Sequence, residues 1–203
     1  MLESILYTFL GLIIGGALGF YFTKKKFEKE GDMIFTHFGI SGPAVLKISS
    51  YLNKALADGE VEVVLDFLKD RSKEELAQII RSNSNRFVLN NLKGILPQNF
   101  LKQIFEMLNL VEVKASDLKK EDEIKIIEYI KEMKLTVRET LTIKAAQVTS
   151  GGVKVKEINA STMESKLINN LYFAGEVIDI DAETGGYNLQ MAFSTGYLAG
   201  SDF

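Results

Sequence analysis

Leu171–Gly200, LYFAGEVIDIDAETGGYNLQMAFSTGYLAG, is the stretch on which the reading of the fold turns. Leu171-Tyr172-Phe173-Ala174 is an apolar run too short for a helix and about right for a buried strand. Gly175 lets the backbone approach a neighbour closely, and Glu176 stands where a strand end presents its side chain. After an acidic loop, Gly185-Gly186 open a helix. Leu189, Ala192, Phe193, Gly196 and Tyr197 then recur at helical spacing on one apolar or small face, with Gly200 as the expected stop. Strand, carboxylate and glycine-started helix together make a nucleotide-cofactor edge. The helix N-terminus offers unpaired N–H groups and a positive dipole end, and glycines remove side chains that would block a ligand. An ordinary strand–loop–helix unit with a flexible turn fits the residues equally well, and both readings stay open at this point.

The 203 residues allow one large domain or two small ones, and 46% apolar residues suffice for a core. A formal charge of −3 argues against a dedicated nucleic-acid binder, because phosphate contacts need a basic surface. Zero Cys excludes disulfides, thiolate metal sites and Cys nucleophiles. With a single His as well, no structural zinc site is expected. Asp179, Asp181 and Glu183 superficially resemble a calcium loop. The EF-hand pattern, however, needs Gly at the sixth place and Glu at the twelfth, where this chain has Thr184 and Gln190.

Ile5–Phe22 is an uncharged run of 18 residues. As a helix it would span roughly 27 Å, close to the roughly 30 Å hydrocarbon core of a bilayer. Tyr7 and Tyr21 near its ends and Lys24-Lys25-Lys26 beyond it predict a membrane-spanning helix over residues 1–23, with the rest of the chain in the cytoplasm. A wholly cytoplasmic chain is the alternative. Gly11, Gly15 and Gly19 recur every four residues and predict a face for helix self-association.

Further on, Met33–His37 predicts a strand, and Ser41 caps a helix that has Pro43 in its first turn and Val45, Ile48, Ser49 and Leu52 inward. GISGP (39–43) departs from the G-x-S-x-G nucleophile elbow, since Pro43 stands where the second glycine belongs. His37, the only His, is a weak catalytic candidate and better read as a structural residue at a strand end. Glu60–Asp66 alternates as a strand, and Ser72-Lys73-Glu74-Glu75 is a capping box. Phe87–Leu92, Pro97–Leu108 and Asp117–Met133 read as helices, the last with Ile124, Ile127 and Ile130 inward. Lys134–Lys144 contains strand-like sequence. Ala145–Thr149 reads as a buried strand, and Val153–Ile158 as an exposed one.

Four segments, GDMIFTHFGISGPAVL (31–46), QVTSGGVKVKEI (147–158), TMESKL (162–167) and Leu171–Gly200, resemble in order the BaiN-like (YhiN-like) bacterial flavoproteins, described as NAD(P)/FAD-dependent oxidoreductases. The resemblance runs from about residue 24 to the C-terminus. It implies an α/β fold, here an α+β mixture. The chain would be the C-terminal part of a two-dinucleotide-binding-domain flavoprotein, with a mainly helical partial insert domain over 24–145 and the C-terminal segment of the FAD-binding domain over 146–203. It implies FAD as cofactor and NAD(P)H as electron donor. Carried onto matching positions, Gly175 and Glu176 would meet ribityl or ribose hydroxyls. Gly185, Gly186, Tyr187 and Asn188 would bring a helix N-terminus to the flavin pyrimidine edge. Thr149, Gly151 and Gly152 would lie near the isoalloxazine ring.

The family's N-terminal G-x-G-x-x-G unit, which grips the ADP half of FAD, has no counterpart in these residues. The expectation is therefore the C-terminal part of a flavin oxidoreductase, inactive by itself and completed by an N-terminal FAD-binding polypeptide. The alternative is a non-enzymatic, membrane-tethered interaction module that keeps a remnant of the fold.

Overall fold

Val61–Asp66 (β5) alternates buried and half-buried side chains, as the period of its sequence requires, and lies at the centre of a three-stranded antiparallel sheet. In this computed structural model, which describes residues 13–14, 19–22 and 27–201, β5 pairs on one side with Gly19–Phe22 (β2) and on the other with Met133–Val137 (β6). A second antiparallel sheet joins Ile13–Ile14 (β1), Met33–Thr36 (β3) and Gly39–Ser41 (β4) in that order. The elements of the chain divide between two compact units. One ends at Arg138 and the other begins at Glu139, and the second also takes in Ser49–Lys54.

The strands at Ile13–Ile14 and Gly19–Phe22 correct the expectation of a membrane helix over residues 1–23. Backbone pairing of Gly19 with Asp66 and of Phe22 with Val63 commits that part of the apolar run to a sheet. Gly19 is thereby removed from any helix-pairing face, while Gly11 and Gly15 lie outside the described residues. Among the described residues no helix is long and apolar enough to cross a membrane. An uncharged run cannot by itself distinguish a spanning helix from consecutive buried strands, and here Ile, Phe and Tyr interrupted by glycine folded as strands.

The first unit fills its core from both sheets and from a set of short helices. Met33, Phe35, Leu65 and Phe100 are fully buried, and the Phe67 ring packs on Phe100 with centroids 4.5 Å apart. Helix α1 (Pro43–Leu56) starts at Gly42 with Pro43 in its first turn and buries Ala44, Ile48 and Leu52. Ser41 therefore ends β4 and does not cap the helix, because the chain is still paired with Ile34 at that residue. Helix α2 (Lys73–Ile80) has the expected capping box: Ser72 Oγ accepts from the Glu75 N–H at 3.1 Å, and Glu75 accepts from the Ser72 N–H at 2.8 Å. The short α3 (Val88–Asn91) and α4 (Gln98–Met107) follow, α4 burying Phe100, Leu101, Ile104 and Phe105. In α5 (Lys120–Lys131) the inward residues are Ile126, Ile127 and Ile130. Ile124 faces solvent, a correction of one position in the expected stripe.

Two ion-paired clusters, each around a buried charge, fasten this unit. Glu123, 1% exposed, is held by Arg81 and Lys120, and the Arg81 guanidinium also reaches the Ala115 and Leu118 carbonyls. Lys131 gives its three donors to Asp66 at 2.7 Å and to the Leu68 and Arg71 carbonyls at 2.6 Å, so the ammonium is fully partnered.

The second unit departs more from expectation. Ala145–Thr149 is not a buried strand: a 3-10 turn at Ile143–Ala145 leads into exposed chain. Val153–Ile158 is a 3-10 turn at Val155–Glu157 flanked by isolated bridges. Leu171–Ala174 is extended and forms one isolated bridge, Tyr172 with Glu164, flanked by hydrogen bonds from Ser165 N–H to the Leu171 carbonyl and from Phe173 N–H to the Met163 carbonyl; Leu171 and Ala174 are exposed. The core consists of Ile158, Met163 and Ile178, with Val153, Phe173, Ile180, Leu198 and Ala199 packed around it. Helix α6 (Tyr187–Ser201) closes the unit and runs through Gly200, so that glycine is not its stop.

Candidate functional site

Thr149 and Glu176, 27 positions apart, are joined by two hydrogen bonds to a single carboxylate oxygen. The Thr149 N–H donates to Glu176 Oε1 at 2.7 Å, and the Thr149 hydroxyl donates to the same oxygen at 2.9 Å. The backbone bond first, and then the hydroxyl, hold the Glu176 carboxyl below the usual carboxylate range, so it is ionised at neutral pH. Among the described residues no donor reaches Oε2 of this exposed side chain.

The same two segments meet again four residues after Thr149 and two after Glu176. Val153 and Ile178 form a parallel bridge, with Val153 N–H on the Val177 carbonyl and Asp179 N–H on the Val153 carbonyl, both at 2.9 Å. Gly152 is what permits this closeness. A Cβ at that position would stand 2.4 Å from the Val177 carbonyl oxygen, and φ is +142°. Gly151, by contrast, faces open space.

Gly175 begins the 3-10 turn Gly175–Val177 that sets Glu176 beside Thr149. Its N–H donates to Thr195 Oγ1 at 3.0 Å, and that hydroxyl donates onward to the Met191 carbonyl at 2.8 Å. Thr195 is the buried polar residue of α6, and it ties the turn to the helix. The sequence reading passed it over, although a threonine among Ala192, Leu198 and Ala199 is the signal that could have marked it.

At the other end of α6, the Asn188 side chain clamps Ala182. Its Oδ1 accepts from the Ala182 N–H and its Nδ2 donates to the Ala182 carbonyl, each at 2.9 Å. This fixes the loop before Gly185-Gly186 and leaves Gly186, at φ +90°, facing open space. Gln190 N–H is the first to bond within the helix start, to the Gly186 carbonyl at 3.0 Å. The N–H groups of Tyr187, Asn188 and Leu189 precede the helical ladder.

Thr149, Gly151, Gly152, Gly175 and Glu176 are thus brought together. Gly185–Asn188 lies along α6 from Thr195, roughly 10 Å away at 1.5 Å per residue. His37 is elsewhere, exposed in the turn between β3 and β4 with its ring edge-on to Phe38. In the acidic loop, Asp181 pairs with Lys54 at 3.6 Å and Glu183 accepts from the Tyr51 hydroxyl at 3.3 Å. Two of the three carboxylates considered for calcium are therefore already engaged. Among the described residues no cluster of His, Asp and Glu is placed to hold a metal ion.

The chain is a mixed α/β one, and comparison with known proteins assigns its second half to a Rossmann domain. Residues 16–148 match the HI0933-like protein barrel and H2TH domain, and residues 113–202 match the HI0933-like protein Rossmann domain. The chain belongs to the HI0933-like family, and the flavoprotein-type assignment suggested by its motifs holds at that level. The match from residue 16 also takes in β2, the strand found where a membrane helix was expected.

The chain is similar to a 3-dehydro-bile acid delta(4,6)-reductase of Clostridium scindens, 34% identical over 85% of this chain and 44% of the relative. It is similar to a ribosomal RNA dihydrouridine synthase of Haemophilus influenzae, 34% identical over 82% of this chain and 40% of the relative. A ribosomal RNA dihydrouridine synthase of Escherichia coli is 33% identical over 84% of this chain and 42% of the relative. The chain spans less than half the length of these relatives.

Proposed function

We propose that this chain is the C-terminal part of an FAD-dependent oxidoreductase that passes hydride from NAD(P)H to an organic substrate. The observation that carries the reading is the Thr149–Glu176 clip, which holds a Gly-Gly loop beside a glycine turn bonded to Thr195 midway along α6. The residues fit a flavin. Glu176 Oε2 can accept from a ribityl or ribose hydroxyl. Gly151 and Gly186 offer backbone without side-chain obstruction, and the first turn of α6 presents N–H groups to the pyrimidine edge. When bound, FAD would supply the hydride-accepting and hydride-donating chemistry. This chain's residues position it: Glu176 holds a hydroxyl, Thr149 fixes the carboxylate, and Asn188 fixes the loop that aims the helix.

The substrate class follows from the relatives' names taken together. Making dihydrouridine saturates a carbon–carbon double bond conjugated to a carbonyl. A delta(4,6)-reductase acting on a 3-dehydro steroid does the same. The proposed substrate is accordingly an alkene conjugated to a carbonyl. A formal charge of −3 argues against extensive phosphate contacts, and the reading places no nucleic acid on this chain. The cradle for the ADP half of FAD is assigned to the length the relatives carry beyond the match, whether in the same polypeptide or in a complementing one.

The test joins the full chain with the unmatched part of the Escherichia coli relative in the presence of FAD. The expected preparation is yellow, bleaches anaerobically on addition of NADH or NADPH, and recolours with a conjugated enone. A colourless preparation, or one that neither nicotinamide bleaches, would remove the enzyme reading and leave the non-enzymatic interaction module.

A further inference from the structure

The loop that leads into α6 is Asp179-Ile180-Asp181-Ala182-Glu183, which carries Asp179, Asp181 and Glu183 just ahead of Gly185-Gly186. Negative charge beside a helix N-terminus cancels the positive dipole end that an electron-rich ligand would use. An acidic loop in that place works against the anion-accepting end of α6 unless its charge is drawn elsewhere. Asp181 pairs with the Lys54 ammonium at 3.6 Å, and Glu183 accepts from the Tyr51 hydroxyl at 3.3 Å. Between these two attachments, Ala182 is clamped by the Asn188 side chain through hydrogen bonds of 2.9 Å.

Tyr51 and Lys54 stand three positions apart on α1 and so share one of its faces. Ser49–Lys54 belongs to the same compact unit as the loop. Stability does not explain the arrangement. Asp181 Oδ2 is buried with no hydrogen-bond partner among the described residues, which is destabilising. An ion pair at 3.6 Å with a mostly exposed lysine contributes little in return. What the contacts fix is the position of charge. We propose that Lys54 and Tyr51 are positioning residues of the flavin site: they draw the Asp181 and Glu183 carboxylates onto α1 and leave the N–H groups of Tyr187, Asn188 and Leu189 to the flavin edge that gains negative charge on reduction. The inference rests on the proposed function, and it adds which residues outside the C-terminal segment tune that site.

The test uses Lys54→Met, which keeps much of the side chain and loses the charge, Tyr51→Phe, which loses only the hydroxyl, and Lys54→Arg as the conservative variant. In the chain alone, amide exchange at Ala182, whose N–H bonds to Asn188, is expected to quicken by about fivefold when Lys54→Met and Tyr51→Phe are combined. Lys54→Arg should keep the wild-type rate. The second reading is the flavin midpoint potential after reconstitution with FAD and the unmatched part of the Escherichia coli relative. It is expected to become more negative in Lys54→Met, because a carboxylate without its cation disfavours the more negative, reduced flavin. Lys54→Arg should restore the wild-type potential. Lys134→Met, which removes an ammonium from an exposed pair with Glu62 in the first unit, should leave both readings unchanged. Unchanged exchange at Ala182 would overturn the proposal. A wild-type preparation that takes up no flavin would reject the enzyme reading and the flavin role together. A flavin-bearing wild type whose potential Lys54→Met does not move would reject the positioning role alone.

Discussion

Thr149 places both its N–H and its hydroxyl on one oxygen of Glu176, at 2.7 and 2.9 Å, so that a single residue locks the rotamer of an exposed carboxylate. Glu176→Ala should weaken flavin retention in the reconstituted protein, with Glu176→Gln intermediate because it keeps the acceptor oxygen and loses the charge. Thr149→Val should weaken the clip by removing the hydroxyl's hydrogen bond while keeping the N–H bond, and leave the fold otherwise unchanged. Equal flavin occupancy in wild type and Glu176→Ala, measured after gel filtration, would contradict the hydroxyl-binding role.

The same pair gives a pH dependence with a definite sign. Glu176 has its folded pKa depressed, chiefly by the Thr149 N–H. Its contribution to stability is therefore fully present above the unfolded carboxylate pKa and is lost as pH falls through the lower, folded value. A carboxyl titration by NMR should place Glu176 below an unstructured glutamate. Thr149→Pro, which removes the N–H, should move it back up. A midpoint at or above the ordinary range in wild type would refute the clip.

Gly152 should resist every substitution. An alanine Cβ would stand 2.4 Å from the Val177 carbonyl at a φ of +142°, and relieving that clash must break the Val153–Ile178 bridge. We expect Gly152→Ala to cost about 2 kcal/mol or more, read from denaturant midpoints. Gly151→Ala, which meets no atom, should cost less. Indistinguishable midpoints for the two variants would show that the close approach is not maintained in solution.

Glu123 supplies a test in the first unit. Burial alone would raise its pKa, but hydrogen bonds from Lys120 and Arg81 and their charges outweigh that and lower it. The unit should thus lose stability as pH falls through the depressed Glu123 value, well below neutrality. Arg81→Ala leaves a buried carboxylate with Lys120 as its remaining charged partner, and should cost about 3 kcal/mol at neutral pH. The cost should shrink as pH falls and Glu123 in the variant becomes protonated. A penalty that does not vary with pH would mean that the arginine acts through packing alone.

His37→Ala should change stability by no more than about 0.5 kcal/mol, as expected for an exposed turn residue. Hydride transfer in the reconstituted protein should be unaffected. A loss of turnover with flavin still bound would restore His37 as a catalytic group.

What the sequence revealed, and what it hid, follows from where each element finds its partners. The α2 capping box is local chemistry among four residues, and β5 is a period-two pattern with both neighbours inside the chain, so both were legible. Leu171–Ala174 has the apolarity of a buried strand, but a ladder needs more than one bridge, and among the described residues this segment makes only that of Tyr172 with Glu164. The Thr149–Glu176 clip spans 27 positions with no spacing rule to announce it, although the resemblance had placed both residues near one ligand. Ile5–Phe22 misled because hydropathy alone cannot count hydrogen-bond partners. The pairing of Gly19–Phe22 with β5 decides that part of the run.

The three-residue core of the second unit carries a thermodynamic consequence. A segment anchored by Ile158, Met163 and Ile178 sits at the low-stability end of the molecule, where local opening is easiest. Anything that binds only its closed form adds RT ln(1 + [L]/Kd), about 2.7 kcal/mol at a hundredfold excess over Kd. For a unit with so small a core that increment matters, so saturation and survival become linked. Proteolytic lifetime would then report ligand occupancy, with the open form cleaved first and the liganded form spared.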